Sequence, residues 1–600
     1  MDESETPNTA PGSAAKSAIR GSWSRFYPLI ILCLGLAIYS NTIQVPFVFD
    51  DEYYIELNPA VHDFRCFLEP SLVEQWIAQG RLDQNFRTRR VAVLSLAVNY
   101  WLHGFNVQGY HLFNLCLHLS NSLLLYWLVL LTLRTPLFMR MLTPERGKRS
   151  GPPAALLVAL FFVAHPVQTE AVTYICQRFT SMATLFYLLA LDLFIAWRLD
   201  PVRPPLAEGA GRVGGRTYRP ALYGLAVAST LLAMFSKEIA FTLPLMIVVY
   251  DVMFFGKFAA KRLWSVLPFL ATMAIIPAIT LGEGANFEDM ARLSTAFTKN
   301  GADNEALTYL FTQFRVIITY LRLLLVPINQ NLDYDFARSA GFFQAPVLAS
   351  FAFLTLLSAV GIYFYWRSVR LPDGQGGWHR LLAFGICWFF LTLSVESTII
   401  PLKDVLFEHR LYLPSVGFLL AGLAGLSILR ARQTRGRSTG MICLLLSILA
   451  VMALATYARN DLWRDPIALW EDSARKSPDK FRPHYNLGKE YVKNDLFVEA
   501  EQEFLRAVEI DDQKAKAQMS LGALYVRVGQ PARAIAYLER AASLDQYNPD
   551  IYHNFGIAYY GTGDYRAAAR AFQQVLALNP SDQDARQRLA TILQLLDSGE

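Results

Sequence analysis

The chain has few charged residues and few cysteines for its length. Only 18% of its 600 residues are Asp, Glu, Lys or Arg, whereas soluble domains carry roughly 25%. Its six cysteines are scattered, and no CxxC or Cys/His spacing suits zinc. These shortages exclude a secreted disulfide scaffold and a cytosolic enzyme, and they give no indication of a metal site.

Apolar residues dominate the composition. They make up 53% of the chain, with a mean hydropathy of +0.26, which excludes a disordered protein and points to a bilayer as the main solvent. Residues 461–600 hold 17 Lys and Arg against 21 Asp and Glu, a net charge of −4 that leaves +9 for residues 1–460. The apolar, basic part and the polar, acidic part are therefore different domains.

Eleven apolar stretches are predicted to cross the membrane, after a Ser-, Pro- and Ala-rich segment, residues 1–24, that is expected to be disordered and cytoplasmic. The first stretch is expected to be an uncleaved signal anchor, since no small-residue cleavage site follows it. The predicted spans are 27–44, 109–133, 152–166, 174–197, 220–236, 238–256, 263–282, 345–366, 380–395, 411–430 and 438–457.

The Lys and Arg residues predict the orientation. With a cytoplasmic N-terminus, 23 of them fall on the inside, in or beside alternate loops that include 198–219 and 430–437. An odd number of spans then places residues 461–600 outside. Residues 305–327 are long enough to span, but a crossing would invert every later loop. An interfacial or re-entrant helix therefore fits that stretch better, and 91–104 is expected to be a second interfacial helix.

Polar motifs that interrupt the apolar sequence collect in the predicted outer loops. Charges at the mouths of spans are costly unless they are paired or functional, so their convergence predicts a site, with an anion-binding cleft favoured. The motifs are FDDEYYIELNP (49–59), HPVQTEAVTYICQR (165–178), SKE (236–238), NLDYDF (331–336) and EHRLYLP (408–414).

Three consecutive acids, Asp50, Asp51 and Glu52, directly follow the first predicted span. Adjacent carboxylates repel, so the pKa of one can be raised into the range suited to a general base. An acidic helix N-cap is an equally simple reading, and an acidic metal-binding pair is a weaker third.

The other outer loops supply cations and their acidic neighbours. Arg410 carries planar, forked donors suited to a phosphate, whereas Lys237 can be a snorkelling side chain and Glu170 can simply neutralise Arg178. Any one of these residues can be an interfacial anchor, and together they favour the cleft. The candidates are His165, Glu170, Arg178, Lys237, Glu238, Glu408, His409, Arg410 and Tyr412.

The C-terminal part repeats with a period of 34 residues. Gly488, Gly522 and Gly556 occupy equivalent positions in three copies, and small residues there let paired helices approach each other. This is the tetratricopeptide pattern, which predicts an α-solenoid with a concave surface that binds a protein; packing on the membrane domain or dimerisation is the alternative role. The repeats are 481–514, 515–548 and 549–582, preceded by a half-repeat at 465–478.

Together, the loop motifs and the repeats resemble the TMTC (transmembrane and tetratricopeptide-repeat) proteins, which are O-mannosyltransferases of the GT-C class. The matching sequence is VPFVFDDEYYIELNP, HPVQTEAVTYICQR, SKE, DNEALTYLFTQFRVIITYLRLLLVPINQNLDYDF and EHRLYLP, and the resemblance covers about residues 30–590. It implies an all-α polytopic GT-C domain, 25–460, followed by an extracytoplasmic repeat domain, 461–600. The small number of repeats and the absence of Asn-x-Ser/Thr sites suggest a prokaryotic relative.

The resemblance also implies the chemistry. GT-C enzymes place a catalytic Asp in the first outer loop, which corresponds to Asp50 and Asp51, with Asp51 the first choice because the Asp-Glu pair of protein mannosyltransferases matches Asp51-Glu52. The expected donor is a sugar, mannose or another hexose, linked to a polyprenyl phosphate and bound through that phosphate by cations. The expected acceptor is a Ser or Thr hydroxyl of a protein engaged by the repeats. The predicted phosphate-binding residues are Arg178, Lys237, His409 and Arg410, supported by Glu52, His165, Glu170, Glu238, Glu408 and Tyr412.

Two other functions remain open at this point, an oligosaccharide-transferring ligase and a non-enzymatic scaffold that recruits envelope proteins. No cofactor is firmly predicted, because an Asp pair alone does not establish a divalent metal, and no nucleic-acid partner is expected. The expected location is the cytoplasmic (inner) membrane, or the endoplasmic reticulum membrane if the protein is eukaryotic.

Overall fold

The computed structural model describes residues 24–141, 144–199, 219–256, 260–281, 305–372, 375–398, 401–431 and 438–598. Within these ranges the regular elements are helices and none is a strand, which confirms the all-α prediction. The predicted disordered segment, residues 1–24, lies outside the described residues except for Ser24. Most of the predicted inner segments 198–219 and 430–437 also lies outside them.

The chain forms two compact units. We call residues Met1–Gln330 with Phe336–Arg464 the apolar unit, and residues Asn331–Asp335 with Asp465–Glu600 the repeat unit. The α-helices described in the apolar unit are α1 (Tyr27–Ile38), α2 (Pro59–His62), α3 (Pro70–Ala78), α4 (Arg90–His103), α5 (Val107–Leu133), α6 (Pro136–Met141), α7 (Pro144–Ala164), α8 (Thr169–Thr173), α9 (Arg178–Leu199), α10 (Arg219–Met234), α11 (Leu243–Phe255), α12 (Ala260–Thr272), α13 (Ile275–Leu281), α14 (Glu305–Leu325), α15 (Ala345–Arg370), α16 (Gly377–Leu393), α17 (Pro414–Ala431) and α18 (Ser438–Leu462).

Seven helical stretches among the described residues are long and apolar enough to cross a membrane, which makes this a membrane protein. An eighth candidate is a helix pair, Gly151–Ala164 and Pro166–Thr173, bent by 55°. The seven straight candidates are Val107–Leu133, Ile175–Leu199, Glu238–Phe255, Arg262–Ile279, Ala345–Arg370, Pro414–Ala431 and Thr439–Leu462.

The other three predicted spans, 27–44, 220–236 and 380–395, coincide with apolar helices of 10–17 residues. The first of them ends at Ile38 rather than Gln44. The Ser40 hydroxyl donates to the carbonyl of Ala37 at 2.9 Å, and such local side-chain bonds compete with continued helix. All eleven predicted stretches are therefore helical, and eight have the length and composition of a span.

Helix α14 is not among the described span candidates, although it has 21 residues. Arg315 and Arg322 lie seven residues apart on one face, and both guanidinium groups donate to the loop that follows the helix: Arg315 to the Ala337 carbonyl at 3.0 Å and Arg322 to the Ile328 carbonyl at 2.9 Å. The two arginines on this face of the helix are therefore hydrogen-bonded to the following loop. The interfacial or re-entrant position of the helix stays a prediction.

Small residues let the apolar helices approach closely. Gly385 on α16 faces Gly417 on α17, and a Cβ at either position would lie 2.5–2.6 Å from the other glycine's carbonyl oxygen. Helix packing through small residues is the rule inside membranes, where burying apolar surface gives no extra gain over lipid. This contact places the start of α17, directly after the EHRLYLP motif, against the middle of α16.

The repeat unit consists of paired helices, as predicted. Each predicted glycine receives a large side chain from the second helix of its own pair: Gly488 packs on Phe504, Gly522 on Leu538 and Gly556 on Phe572. The helices are α19 (Pro466–Lys476), α20 (Phe481–Lys493), α21 (Phe497–Ile510), α22 (Ala515–Arg527), α23 (Pro531–Leu544), α24 (Pro549–Thr562), α25 (Tyr565–Leu578) and α26 (Gln583–Ser598).

A short segment from earlier in the chain, Asn331–Asp335, also belongs to the repeat unit. The Asp333 carboxylate is buried and accepts from the Arg482 guanidinium at 2.5 and 2.6 Å and lies 2.6 Å from the Lys480 ammonium. The buried Ser477 hydroxyl donates to the Asp333 carbonyl at 2.8 Å. The NLDYDF motif, expected among the outer-loop site residues, is thus largely built into the repeat unit.

Candidate functional site

The acidic loop after α1 is fixed by contacts to the residues just before α9. Phe49 adopts a left-handed φ of +55°, which is strained for an aromatic residue, and its ring stacks on Tyr174 at 5.9 Å. The Asp50 backbone N–H donates to the Tyr174 hydroxyl at 2.8 Å. Strain of this kind persists only where the surroundings hold it, so the geometry at Asp50 is imposed by the fold.

The three acids of this loop differ in environment. Asp51 is only 1% exposed, and its carboxylate accepts the backbone N–H groups of Cys176 at 2.7 Å and Val48 at 3.2 Å. Asp50 is half-buried and Glu52 is exposed. The capping bond expected of an acidic N-cap is not formed: Asp51 makes no side-chain bond to the helical turn Glu52–Glu56 that follows it. It accepts an N–H from the turn that leads into α9 instead.

Burial is the main influence on the Asp51 carboxyl. Burial raises the pKa of Asp51, the N–H donors of Val48 and Cys176 oppose the shift, and the charge of Asp50 adds to it, so that the pKa rises from 3.8 to about 7. A carboxylate that titrates near neutrality has the proton affinity expected of a general base.

Lys237 and Arg410 share one carboxylate. The Lys237 ammonium lies 3.1 Å from the Glu396 Oε1 atom and donates to the Thr180 hydroxyl at 2.9 Å. The Arg410 Nε atom lies 3.9 Å from the same Glu396 oxygen. Lys237 and Arg410 are both buried, so two cations meet a single acid in a region of little solvent.

The Arg410 guanidinium is only partly satisfied. Its two terminal nitrogens donate to the carbonyls of Val405 at 3.2 Å and Asp404 at 2.9 Å, whereas Nε is buried and has no hydrogen-bond partner among the described residues. Burial lowers the pKa of Arg410, but the neighbouring Tyr320 and Glu396 outweigh it, so the pKa is raised above its usual value and the group stays charged.

His409 is held by Glu170. One carboxylate oxygen of Glu170 lies 2.8 Å from His409 Nδ1 and the other accepts the His409 backbone N–H at 3.1 Å, while the imidazole stacks on Phe407 at 5.1 Å. Glu408 is buried beside them and accepts from the Gln330 amide at 2.5 Å. The EHR motif and Glu170 therefore come together as predicted.

Three predicted residues make contacts to protein that account for their burial. Arg178 is fully buried and donates to the Asn114 side chain at 2.7 Å, to the Asn99 side chain at 2.5 Å and to two backbone carbonyls. The alternative in which Glu170 simply neutralises Arg178 is not realised, because Glu170 binds His409 instead. Four of the five Arg178 donors thus tie α4 and α5 to the start of α9.

His165 and Tyr412 likewise connect elements of the apolar unit. His165 donates from Nε2 to the Leu324 carbonyl at 3.0 Å, and its Nδ1 accepts the Val167 N–H at 3.2 Å. The Tyr412 hydroxyl contacts His118 Nδ1 at 2.8 Å and accepts from the Asn121 amide at 3.1 Å. Their predicted supporting role stays a prediction about function, since these contacts are structural.

Glu238 pairs with a cation, Arg89, that lies in none of the five polar motifs. Its carboxylate lies 3.1 Å from the Arg89 guanidinium and accepts the Thr88 hydroxyl at 2.7 Å. Arg89 was not among the predicted site residues, and this pairing places it beside Glu238. Arg87, in the same basic run, pairs with Glu74.

The acidic loop and the cations meet the same turn of the chain. Asp51 binds the N–H of Cys176 and Lys237 binds the hydroxyl of Thr180, four residues later. Four residues of helix rise about 6 Å, so the attachment points are about one turn apart. The acidic loop and Lys237 are therefore attached to neighbouring positions at the start of α9, and Lys237 and Arg410 share Glu396 beside His409 and Glu170.

Glu396 was missed by sequence reasoning. A signal was present, because Glu396 is the only charged residue between Arg380 and Lys403, at the end of an apolar run. Within the described ranges, no three or more His, Cys, Asp or Glu side chains are arranged to hold a metal ion.

Comparisons with known proteins agree with the motifs. A tetratricopeptide repeat family model matches residues 491–592. The chain is 24% identical to the Drosophila melanogaster protein O-mannosyl-transferase Tmtc3 over 92% of this chain and 62% of that protein. It is 23% identical to mouse TMTC3, over 86% and 54% of the two chains, and 24% identical to human TMTC4, over 77% and 63%.

The chain therefore spans 54 to 63% of the length of these curated relatives. The additional length of each relative lies outside what the comparison covers. Across 77 to 92% of its own length, the chain is similar to proteins named TMTC protein O-mannosyl-transferases, which confirms the resemblance drawn from its loop motifs and repeats.

Proposed function

We propose that this protein is an integral membrane glycosyltransferase of the GT-C class that transfers a sugar to Ser and Thr hydroxyls of an acceptor protein. The proposed donor is a hexose, with mannose the first candidate, linked to a polyprenyl phosphate. The similarity to protein O-mannosyl-transferases and the tetratricopeptide repeats support this proposal.

In the proposed reaction, the bond between the anomeric carbon and the phosphate oxygen breaks, and the phosphate keeps the electron pair. The acceptor oxygen forms the new bond with inversion, and its proton passes to a carboxylate. Since the donor is a phosphodiester with one negative charge and the product is a monoester with up to two, the site must stabilise growing negative charge.

One observation carries the proposal: Asp51 is bonded to the Cys176 N–H and Lys237 to the Thr180 hydroxyl four residues later, and the buried Lys237 and Arg410 share the Glu396 carboxylate. This combination offers what inverting transfer from a lipid phosphate requires, a proton acceptor and a phosphate site. A scaffold protein would need neither, and buried charges at span ends would only destabilise it.

Asp50 and Asp51 have complementary properties as proton acceptors. The pKa of about 7 favours Asp51, whereas exposure favours Asp50, because Asp51 is 1% exposed and both of its oxygens accept backbone N–H groups. A base must come within hydrogen-bond reach of the acceptor hydroxyl. We keep Asp51 as the first candidate and expect acceptor binding to open the loop around it.

Among the cations, the geometry favours Lys237 and Arg410 as the phosphate ligands. Arg178 has four of its donors committed to protein, so we assign it the role of holding the site together. The pKa of His409 is held well below 6.5 by burial, and the charges of Lys237, Arg410 and Arg89 lower it further, so we expect a neutral imidazole that contributes a hydrogen bond rather than a charge.

We further propose that the repeat unit is extracytoplasmic and engages the acceptor protein, in the cytoplasmic membrane or, in a eukaryote, in the endoplasmic reticulum membrane. The paired helices of a tetratricopeptide solenoid support this role, since they normally present a concave surface to a polypeptide. The predicted basic inner loops support the orientation.

Intact-mass spectrometry of acceptor proteins tests the proposal. Purified protein is reconstituted with a polyprenyl-phosphate hexose and candidate envelope or lumenal proteins. A mass increase of one hexose, lost in Asp51→Asn, supports the proposal. A longer glycan would indicate an oligosaccharide ligase instead, and no mass change with any supplied lipid-linked donor would favour a scaffold. Transfer retained in both Asp50→Asn and Asp51→Asn would contradict the proton-acceptor assignment.

A further inference from the structure

The Glu396 carboxylate occupies the space between the two cations of the site. Its Oε1 atom lies 3.1 Å from the Lys237 ammonium and 3.9 Å from Arg410 Nε. The first distance is that of a close ion pair, whereas the second exceeds a hydrogen bond. Arg410 is therefore left with a buried donor that no described residue satisfies, which points to a missing acceptor.

The charges at this position are unequal. Lys237 and Arg410 contribute two positive charges, and Glu396 contributes one negative charge to both of them. Of the neighbouring acids, Glu238 pairs with Arg89, whereas Glu170 and Glu408 form hydrogen bonds to His409 and to the Gln330 amide. Buried charge without full compensation is costly, so the arrangement is suited to a further anion.

The backbone of Glu396 is anchored while its side chain is only lightly held. The Tyr309 hydroxyl donates to the Glu396 carbonyl at 2.6 Å. The contacts described for the Glu396 side chain are the ion pairs to Lys237 and Arg410, and the side chain is 14% exposed, about twice as much as either cation. The carboxylate can therefore swing away without unfolding the turn.

We propose that Glu396 is a resident anion that holds Lys237 and Arg410 together in the empty protein and is displaced when the phosphate of the lipid product binds there. This inference rests on the proposed function and refines it by naming the phosphate position and the residue that competes for it. A phosphate monoester with two negative charges matches the two cations once Glu396 has moved. When the Glu396 carboxylate returns to the cations, its negative charge repels the phosphate monoester, which favours product release.

Binding of farnesyl phosphate, a short polyprenyl monophosphate, tests this proposal directly. The full chain in detergent is titrated with farnesyl phosphate by calorimetry, with uncharged farnesol as the control for the lipid tail. Glu396→Gln removes the competing charge, and we expect its Kd for farnesyl phosphate to fall about tenfold or more, because a neutral amide competes less strongly than a carboxylate for Lys237 and Arg410. Farnesol binding should stay unchanged.

Two further variants separate the effect of the Glu396 charge from the general effect of removing a buried acid. Glu396→Asp retains the charge on a side chain one methylene shorter, so we expect an affinity between those of the wild type and Glu396→Gln. Asp251→Asn is the matched control, a buried acid paired with Arg198 at 2.6 Å, 13 residues along the chain from Glu238. It should alter thermal stability without changing the Kd for farnesyl phosphate.

The outcomes separate this inference from the proposed function. Equal or weaker farnesyl phosphate binding by Glu396→Gln, beside a wild type that binds the phosphate and transfers sugar, would overturn the displacement of Glu396 alone. Failure of both proteins to bind farnesyl phosphate more tightly than farnesol would overturn the phosphate position and, with it, the proposed lipid donor. A purely structural Glu396 would lower the melting temperature on substitution without any gain in affinity.

Discussion

Asp51→Asn should change how the stability of the protein depends on pH. Burial raises the pKa of Asp51 from 3.8 to about 7, so the folded state holds a proton that the unfolded chain releases near pH 4. A shift of about three units at 1.36 kcal/mol each costs about 4 kcal/mol once the pH exceeds 7. Because the pKa is raised in the folded state, the stability that the protonated Asp51 carboxyl contributes is fully present below about pH 4. It is lost as the pH rises to about 7.

Asparagine resembles the protonated carboxyl but does not titrate. Its amide nitrogen cannot accept an N–H, so it loses one of the two bonds from Cys176 and Val48, at a cost of about 1–3 kcal/mol. We expect the variant to be less stable than the wild type near pH 4.5 and as stable or more stable at pH 8. Because the asparagine at position 51 does not titrate, it should contribute no change in the stability of the variant between pH 4.5 and 8.

The measurement is the apparent melting temperature of detergent-solubilised protein, followed by tryptophan fluorescence between pH 4.5 and 8.5. Asp50→Asn is the comparison variant, because it keeps the titrating Asp51 and removes only the neighbouring charge that helps to raise its pKa, so its profile should keep the wild-type shape with the transition at a lower pH. The two melting profiles should cross between pH 4.5 and 8. Parallel profiles for the wild type and Asp51→Asn would refute the argument that burial governs this carboxyl.

Two further predictions concern stability and binding. Arg178→Lys should lower the melting temperature, because a lysine cannot reproduce the bonds to Asn114 and Asn99. It should leave the affinity for farnesyl phosphate unchanged. Weaker binding of farnesyl phosphate at unchanged stability would show instead that Arg178 belongs to the phosphate site. Asp333→Asn should destabilise the repeat unit by about 3 kcal/mol, since it leaves Lys480 and Arg482 without their buried counter-ion. Hydrogen exchange of residues 477–493 in the full chain would measure this loss. Asp512→Asn, at an exposed pair with Arg540, should cost under about 1 kcal/mol, and an equal effect of the two variants would contradict the prediction.

Local patterns explain why so much of the fold could be predicted. Each repeat packs mainly on its neighbours, so its packing depends on residues close in sequence. The recurrence of Gly488, Gly522 and Gly556 therefore predicts where paired helices approach each other. Apolar runs likewise predict spans because a bilayer sets both length and composition. The error at 27–44 arose where Ser40 and Thr42 bond to the preceding backbone and end the helix at Ile38, which hydropathy does not register.

The pairings within the site could not be predicted in the same way. Asp51 meets Cys176, Lys237 meets Glu396 and His409 meets Glu170, and in each case more than 100 residues separate the partners. The motifs named the polar residues that gather at span ends but not which of them neutralise one another. Arg178 shows the consequence, because its sequence context suggests a phosphate ligand while Asn99 and Asn114, from two other helices, use its donors.

The pairings also determine what charge the site presents. Burial and the surrounding cations hold the pKa of His409 well below its usual value, so the imidazole adds no charge at neutral pH. Arg89 is balanced by Glu238, which leaves Lys237 and Arg410 against Glu396. With Glu396 between the two cations the net charge of these three side chains is one positive, and with Glu396 displaced the two cations match the two negative charges of a phosphate monoester. The position of the Glu396 side chain would thus determine how much positive charge the site presents to a phosphate.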